Sequence, residues 1–146
     1  MAKTIFKGCV TAKEGLTMEC QSRSFKFNLD EPAVLGGNDT GMNPIEALLN
    51  ALGACKAIVA RSFAQAKGVK FTDLRIELEG TLDPDGFMGK NPDAKVGLSE
   101  IHTKYYFKSE ESDETLADFV SFMEHTCPVM DTIVATPKFS DEIIRL

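Results

Sequence analysis

No run in this sequence approaches the ~18 consecutive apolar residues that span a bilayer. The longest weakly polar stretch, 45–60, is broken by Glu46, Asn50 and Lys56. The first residues, Met1-Ala2-Lys3-Thr4, lead straight into an alternating pattern and lack the apolar core of a signal peptide. A cytoplasmic protein with no membrane partner is the expectation. Basic charge is scarce as well. Sixteen Lys and Arg stand against 22 Asp and Glu, a formal net charge of -6. Nucleic acid and anionic membranes recruit proteins through a basic field, so no nucleic-acid partner is expected. Only two histidines are present, His102 and His125, and no two cysteines form a CxxC pair. That spacing offers no zinc knuckle and no thioredoxin motif. Internal repeats, low-complexity tracts and linkers are also missing.

What remains is an ordinary globular composition, 43% apolar and 26% charged, which excludes disordered, collagenous and disulfide-scaffold classes. A chain of 146 residues has the size of one domain, so 1–146 reads as a single unit able to fold without disulfides or metal. The four cysteines at 9, 20, 55 and 127 are expected to be free, catalytic or metal-binding thiols rather than structural disulfides in a reducing compartment.

The chain up to Leu29 alternates as antiparallel strands. Phe6, Val10 and Ala12 form one apolar series, and Leu16, Met18 and Cys20 form the next. All carry even numbers. They share a sheet face only if paired positions sum to an even number, which suits a three-residue loop Lys13-Glu14-Gly15. Cys9 and Cys20 then point to opposite faces, which argues against a disulfide between them. Arg23–Leu29 is a third strand with Phe25, Phe27 and Leu29 on one face. A breaker-rich loop follows over 30–42.

Asn43–Lys67 is the dominant helix. Asn43 suits the N-cap, Pro44 the first helical position, Glu46 the capping box, and Gly68 the stop. Its centre is apolar on more than one face, so it needs cover from several neighbours. Val69–Leu82 reads as a strand, 81–97 as a turn region and Leu98–Phe107 as another strand. Ser112 or Asp113 caps a helix with Leu116, Phe119, Val120 and Met123 on its core face. Thr136–Ile144 reads as a last strand. The order is α+β, with antiparallel sheets around a buried helix. One chain offers too little cover for that helix, so a homodimer is expected.

Two cysteines invite chemistry. Cys55 sits on the buried helix, where it is either a small core residue or a thiol in an apolar site. Cys127 precedes Pro128 and reads as a helix N-cap, a place that favours thiolate. The two are far apart in the sequence, so only the fold can join them. Glu46 is explained by its capping box. His125 is expected to bond the carbonyls at the end of its own helix. Lys56 points about 100° away from Cys55 around the helix.

The segment Asn43-Pro44-Ile45-Glu46-Ala47-Leu48-Leu49-Asn50-Ala51-Leu52-Gly53-Ala54-Cys55 resembles the central helix of the OsmC/Ohr family, and Cys127-Pro128-Val129 resembles its second signature. The element order agrees over essentially the whole chain. The resemblance implies an intertwined α+β homodimer and a thiol-dependent peroxidase acting on organic hydroperoxides. It implies Cys55 as peroxidatic thiolate and Cys127 as resolving thiol. A dithiol or lipoylated reductant would regenerate the pair, with no metal, haem or flavin cofactor. In the organic-hydroperoxide branch an arginine and a glutamate assist the cysteine. The glutamate there directly follows the proline; here Ile45 does, and Glu46 is one later, rotated by about 100°. Lys13 is the counterpart of the arginine, and Arg23 is a second candidate cation. The chain thus resembles the broader OsmC-like branch more than the dedicated Ohr branch. Two other readings of the same family stay open: a non-catalytic small-molecule binding protein and a redox-sensing protein.

Overall fold

The computed structural model describes residues 2–146. The chain divides into two compact units, Met1–Asn50 and Ala51–Leu146. The first holds a three-stranded antiparallel sheet in the order β1 (Cys9–Ala12), β2 (Met18–Ser22), β3 (Phe25–Leu29). Val10 pairs with Cys20 and Ala12 with Met18, so partners sum to an even number and the apolar series shares a face. The loop sits one residue later than the sequence implies. Lys13 N–H bonds the Thr17 carbonyl, which leaves Glu14, Gly15 and Leu16 in the turn. Gly15 takes φ +61°, a left-handed conformation that costs glycine nothing. Phe6 precedes β1 and stays outside the ladder. Arg23 also stays outside. It occupies the β2–β3 turn at φ +55° and lays its guanidinium over the Phe25 ring at 4.9 Å.

The loop after β3 is built on a buried carboxylate. Asp30, 2% exposed, accepts from the Thr17 and Thr40 hydroxyls at 2.7 Å each and from the N–H groups of Glu31, Asn38 and Thr40. These bonds favour its ionised form and hold its pKa well below the usual carboxylate range against the opposing cost of burial. Gly37 and Gly41 let the loop close. A Cβ on Gly37 would collide with the Glu31 carbonyl, and one on Gly41 with the Asn28 carbonyl.

Helix α1 (Pro44–Lys67) starts in the first unit and continues in the second. Its capping box is complete: Asn43 N–H donates to Glu46 Oε2, and Glu46 N–H to Asn43 Oδ1, both at 2.8 Å. Gly68 ends it at φ +67°. By its length and its most apolar 18-residue stretch, α1 is apolar enough to cross a membrane. A count of consecutive apolar residues passes over this because polar side chains break the run. Packing gives the helix a different use, since Leu52, Gly53, Lys56, Val59 and Ala60 form a buried stripe.

In the second unit β4 (Asp73–Thr81) and β5 (Glu100–Lys108) pair antiparallel. Leu74 faces Phe107, Ile76 faces Tyr105 and Leu78 faces Thr103. Gly53 allows α1 to approach this sheet, because a Cβ there would stand 2.6 Å from Leu78 Cδ1. The connection from β4 to β5 carries a single helical turn, α2 (Pro84–Phe87). Helix α3 (Asp113–Thr126) is capped by Ser112, and α4 (Pro128–Val134) by Cys127. The core joins Val59, Ala60, Val69, Phe119 and Met123, ringed by Phe71, Phe107 and Phe122. Each of the larger buried side chains, Val59, Val69, Phe119 and Met123, contributes about 1.5–3 kcal/mol before entropy is charged.

One expected element is corrected. Residues 136–146 form no strand. Phe139 and Ile143 are 80% and 93% exposed, and among the described residues no strand pairs with this segment. Alternating apolar residues make a strand only where backbone partners exist.

Candidate functional site

The second unit brings Cys55 and Cys127 together. Cys55 stands in the middle of α1 and is partly buried; Cys127 is fully buried where α3 hands over to α4. The handover follows from two local facts. Pro128 cannot donate the bond that would continue α3, yet its fixed φ suits the first position of a new helix. Cys127 is therefore left extended, at φ −79° and ψ +111°, with its Sγ accepting from Met130 N–H at 3.4 Å. Both thiols are unbridged. Burial pushes the Cys55 thiol above its ordinary pKa, and the Cys127 side chain pushes it further. The Val129 N–H pulls the other way by stabilising the thiolate. Negative charge on the neighbouring Cys127 sulfur would oppose ionisation of Cys55.

A polar network lies beside the pair. Lys56, next to Cys55, is 2% exposed. Its Nζ reaches Glu124 Oε1 at 3.2 Å and Thr103 Oγ1 at 3.3 Å, and lies 5.4 Å from the Tyr105 ring centre. Tyr105 donates its hydroxyl to the same Glu124 oxygen at 3.0 Å. Burial, the Glu124 charge and the Cys127 thiol together raise the Tyr105 pKa, so the phenol keeps its proton. The sequence hinted at Lys56, a lone cation with small and apolar neighbours on the face that includes Leu52. Nothing in the sequence singled out Glu124 as its partner 68 residues away. A cavity of about 460 Å³ opens along this network, lined by Lys56, Glu124, His102, Leu52, Met130 and Ile133. Its mixed lining suits a ligand with an apolar body and a polar head. Among the described residues no group of three His, Cys, Asp or Glu side chains is placed to hold a metal ion.

The other sequence-derived candidates occupy the first unit, and local contacts account for each. Glu46 is held by the capping box. Lys13 Nζ lies 3.7 Å from Glu19, which also pairs with Lys26 at 3.2 Å. Arg23 covers Phe25. His125, in the second unit, behaves as its position suggests, with Nδ1 3.1 Å from the Ser121 carbonyl; that oxygen only accepts, so this nitrogen carries the proton. Cys9 is exposed and Cys20 is buried, and the two point to opposite sheet faces.

By fold and site this is an α+β protein with a dithiol, one sulfur on a core helix and one at a Cys-Pro helix start. The family model described as OsmC-like protein matches residues 36–140, and the chain belongs to that family. A curated relative named hydroperoxide reductase, from Mycoplasma genitalium, is 29% identical over 123 residues, covering 84% of this chain and 82% of its own. The crystal structure of an OsmC-like protein from Mycoplasma pneumoniae superposes with a TM-score of 0.81 at 24% identity, covering 92% of this chain and 91% of that one. A Legionella pneumophila structure described as an organic hydroperoxide resistance protein OsmC gives a TM-score of 0.68 at 18% identity over 92% and 93%. These likenesses establish the OsmC-like α+β fold expected from the sequence.

Proposed function

We propose that this protein is a thiol-dependent peroxidase that reduces organic hydroperoxides and serves in oxidative-stress defence. The observation that carries the reading is the junction of Cys55 and Cys127, far apart in the chain, within an OsmC-like fold. The names of the relatives support the same chemistry. Cys55, as thiolate, attacks the terminal oxygen of the O–O bond. The alkoxide leaves and is protonated to an alcohol, and Cys55 becomes a sulfenic acid. Cys127 then attacks the Cys55 sulfur. The S–O bond breaks, water departs and a disulfide forms. An external dithiol, free or lipoyl, returns both sulfurs to thiols while it is oxidised in turn. A buried resolving thiol removes the sulfenic acid before a second peroxide can carry it to sulfinic acid.

The whole chain, 1–146, acts in this reading as one functional domain, in the cytoplasm and as a homodimer. Ile58 on α1 is 65% exposed and Phe25 and Phe27 on β3 are 62% and 56% exposed, which a second copy would cover. Glu46, Lys13 and Arg23 are proposed as auxiliary groups of the reaction; single replacements then slow Cys55 oxidation without blocking it.

The test starts from anaerobically reduced protein and one equivalent of cumene hydroperoxide, followed by intact and peptide mass spectrometry. Loss of two hydrogens per chain, mapped to a Cys55–Cys127 link and faster than with hydrogen peroxide, is the expected result. Peroxide consumption that survives Cys55→Ser refutes the assignment. Sedimentation at micromolar concentration tests the dimer, which a single-chain mass would rule out.

A further inference from the structure

The polar network beside the thiols has no part in the proposed chemistry, yet its placement is specific. Lys56 directly follows Cys55 in α1, and Glu124 precedes Cys127 by three positions in the last turn of α3. Helix α3 runs through Thr126 and ends at Cys127, so the position of the Cys127 sulfur depends on where that last turn is held. One oxygen, Glu124 Oε1, receives Lys56 Nζ from α1 and the Tyr105 hydroxyl from β5, while Thr103, on the same face of β5, takes Lys56 as well. Three elements are thereby tied at a single atom next to the thiol pair. The Lys56 stem is too buried to relax into water. A buried ion pair is a poor source of net stability, because its desolvation cost cancels most of the attraction, but it is demanding about geometry.

We infer that Lys56, Glu124 and Tyr105 are positioning residues that hold Cys127 against Cys55 and so govern closure of the disulfide. None of the three touches the reacting oxygen atoms. Their effect is on the effective concentration of one thiol at the other. The inference rests on the dithiol reading, but its test does not require peroxide.

Wild type, Glu124→Gln, Tyr105→Phe and the double variant Lys56→Met/Glu124→Leu are equilibrated with mixtures of reduced and oxidised glutathione. The Cys55–Cys127 disulfide is quantified by peptide mass spectrometry. In this exchange the protein gives up two hydrogens, and one oxidised glutathione becomes two reduced ones. The double variant removes the clamp without leaving a stranded charge, and Tyr105→Phe removes one hydroxyl only, so folded protein is available for comparison. The expected result is a drop of about tenfold or more in the closure constant for Glu124→Gln and for the double variant, equal to about 30 mV per tenfold for a two-electron couple. Tyr105→Phe shifts the constant the same way by less. With cumene hydroperoxide the clamp variants divert Cys55 from disulfide to sulfinic acid.

A purely structural network would lower thermal midpoints and leave the closure constant of the folded molecules at the wild-type value, which overturns the inference. So does a wild type whose two thiols fail to join under oxidised glutathione. If wild type closes with glutathione, the clamp variants lower its closure constant and the protein is inert to peroxide, the peroxidase reading falls and the positioning role stands.

Discussion

Replacing Glu124 with glutamine strands a buried ammonium. Lys56 is 2% exposed and, once the counter-charge is gone, keeps only neutral partners: the glutamine oxygen, Thr103 at 3.3 Å and the Tyr105 ring at 5.4 Å. Removing one partner of a fully buried pair costs about 3–5 kcal/mol. The Glu124 side chain is 39% exposed, so water already screens part of the interaction. The discounted expectation is about 2–3 kcal/mol of lost stability, below the cost of a sealed pair. Lys56→Met removes the other partner and should cost less, about 1 kcal/mol, because the remaining carboxylate can turn to solvent. The double variant Lys56→Met/Glu124→Leu should lie near wild type, as buried pairs replaced by apolar residues of similar volume are often neutral. The assay is urea unfolding at one fixed protein concentration, since a dimer's stability depends on concentration. With a slope of about 1–3 kcal/mol per molar urea, Glu124→Gln should move the midpoint down by about 0.7–3 M. A Glu124→Gln loss within about 0.5 kcal/mol, the range of an ordinary surface change, would refute the picture of Lys56 as a desolvated charge. Equal losses for the two single variants would refute the asymmetry drawn from their exposures.

Three further outcomes follow from the same structure. The Cys55 pKa is raised, so the thiolate is a minority at neutral pH, and the rate of Cys55 oxidation should climb by about tenfold per pH unit through neutrality; stopped-flow rates that stay flat from about pH 6 to 8 would contradict it. Asp30 has a depressed pKa, so its contribution to stability is complete above the ordinary aspartate value of about 3.9 and is lost as pH falls below it. Chemical unfolding measured across the acid range should show this fall, and Asp30→Asn should flatten it while lowering stability at neutral pH. Gly41→Ala sets a methyl against the Asn28 carbonyl and should cost about 1–3 kcal/mol, whereas Gly36→Ala meets no atom within 4 Å and carries only the left-handed backbone penalty of about 1 kcal/mol; equal costs in urea unfolding would count against the close-approach account.

Several features were readable because their causes lie within a few residues. Asn43, Pro44 and Glu46 start α1 through bonds three positions apart, and Gly68 ends it by taking a conformation other residues avoid. Pro128 makes Cys127 a helix start by removing one N–H. The parity of Val10, Ala12, Met18 and Cys20 determined which face they share, although the turn sits one residue later than inferred. Resemblance to a family named the fold from two short motifs, and the family model bears that out.

The remainder is decided by partners far apart in the chain. Thr136–Ile144 has the alternation of a strand, but a strand needs backbone groups to pair with, and no local pattern reports whether a neighbour exists. Asp30 looks like one polar loop residue among many until Thr17, Asn38 and Thr40 close around it. Lys56 reads as an interruption of an apolar helix, and only the packing of α1, β5 and α3 turns it into a buried cation with Glu124 as its counter-charge. Sequence alone determined that each sulfur sits on a helix or at a helix start, because capping and helical periodicity are short-range. Tertiary structure alone decided that the two sulfurs meet, because a contact so distant along the chain depends on how the whole core packs.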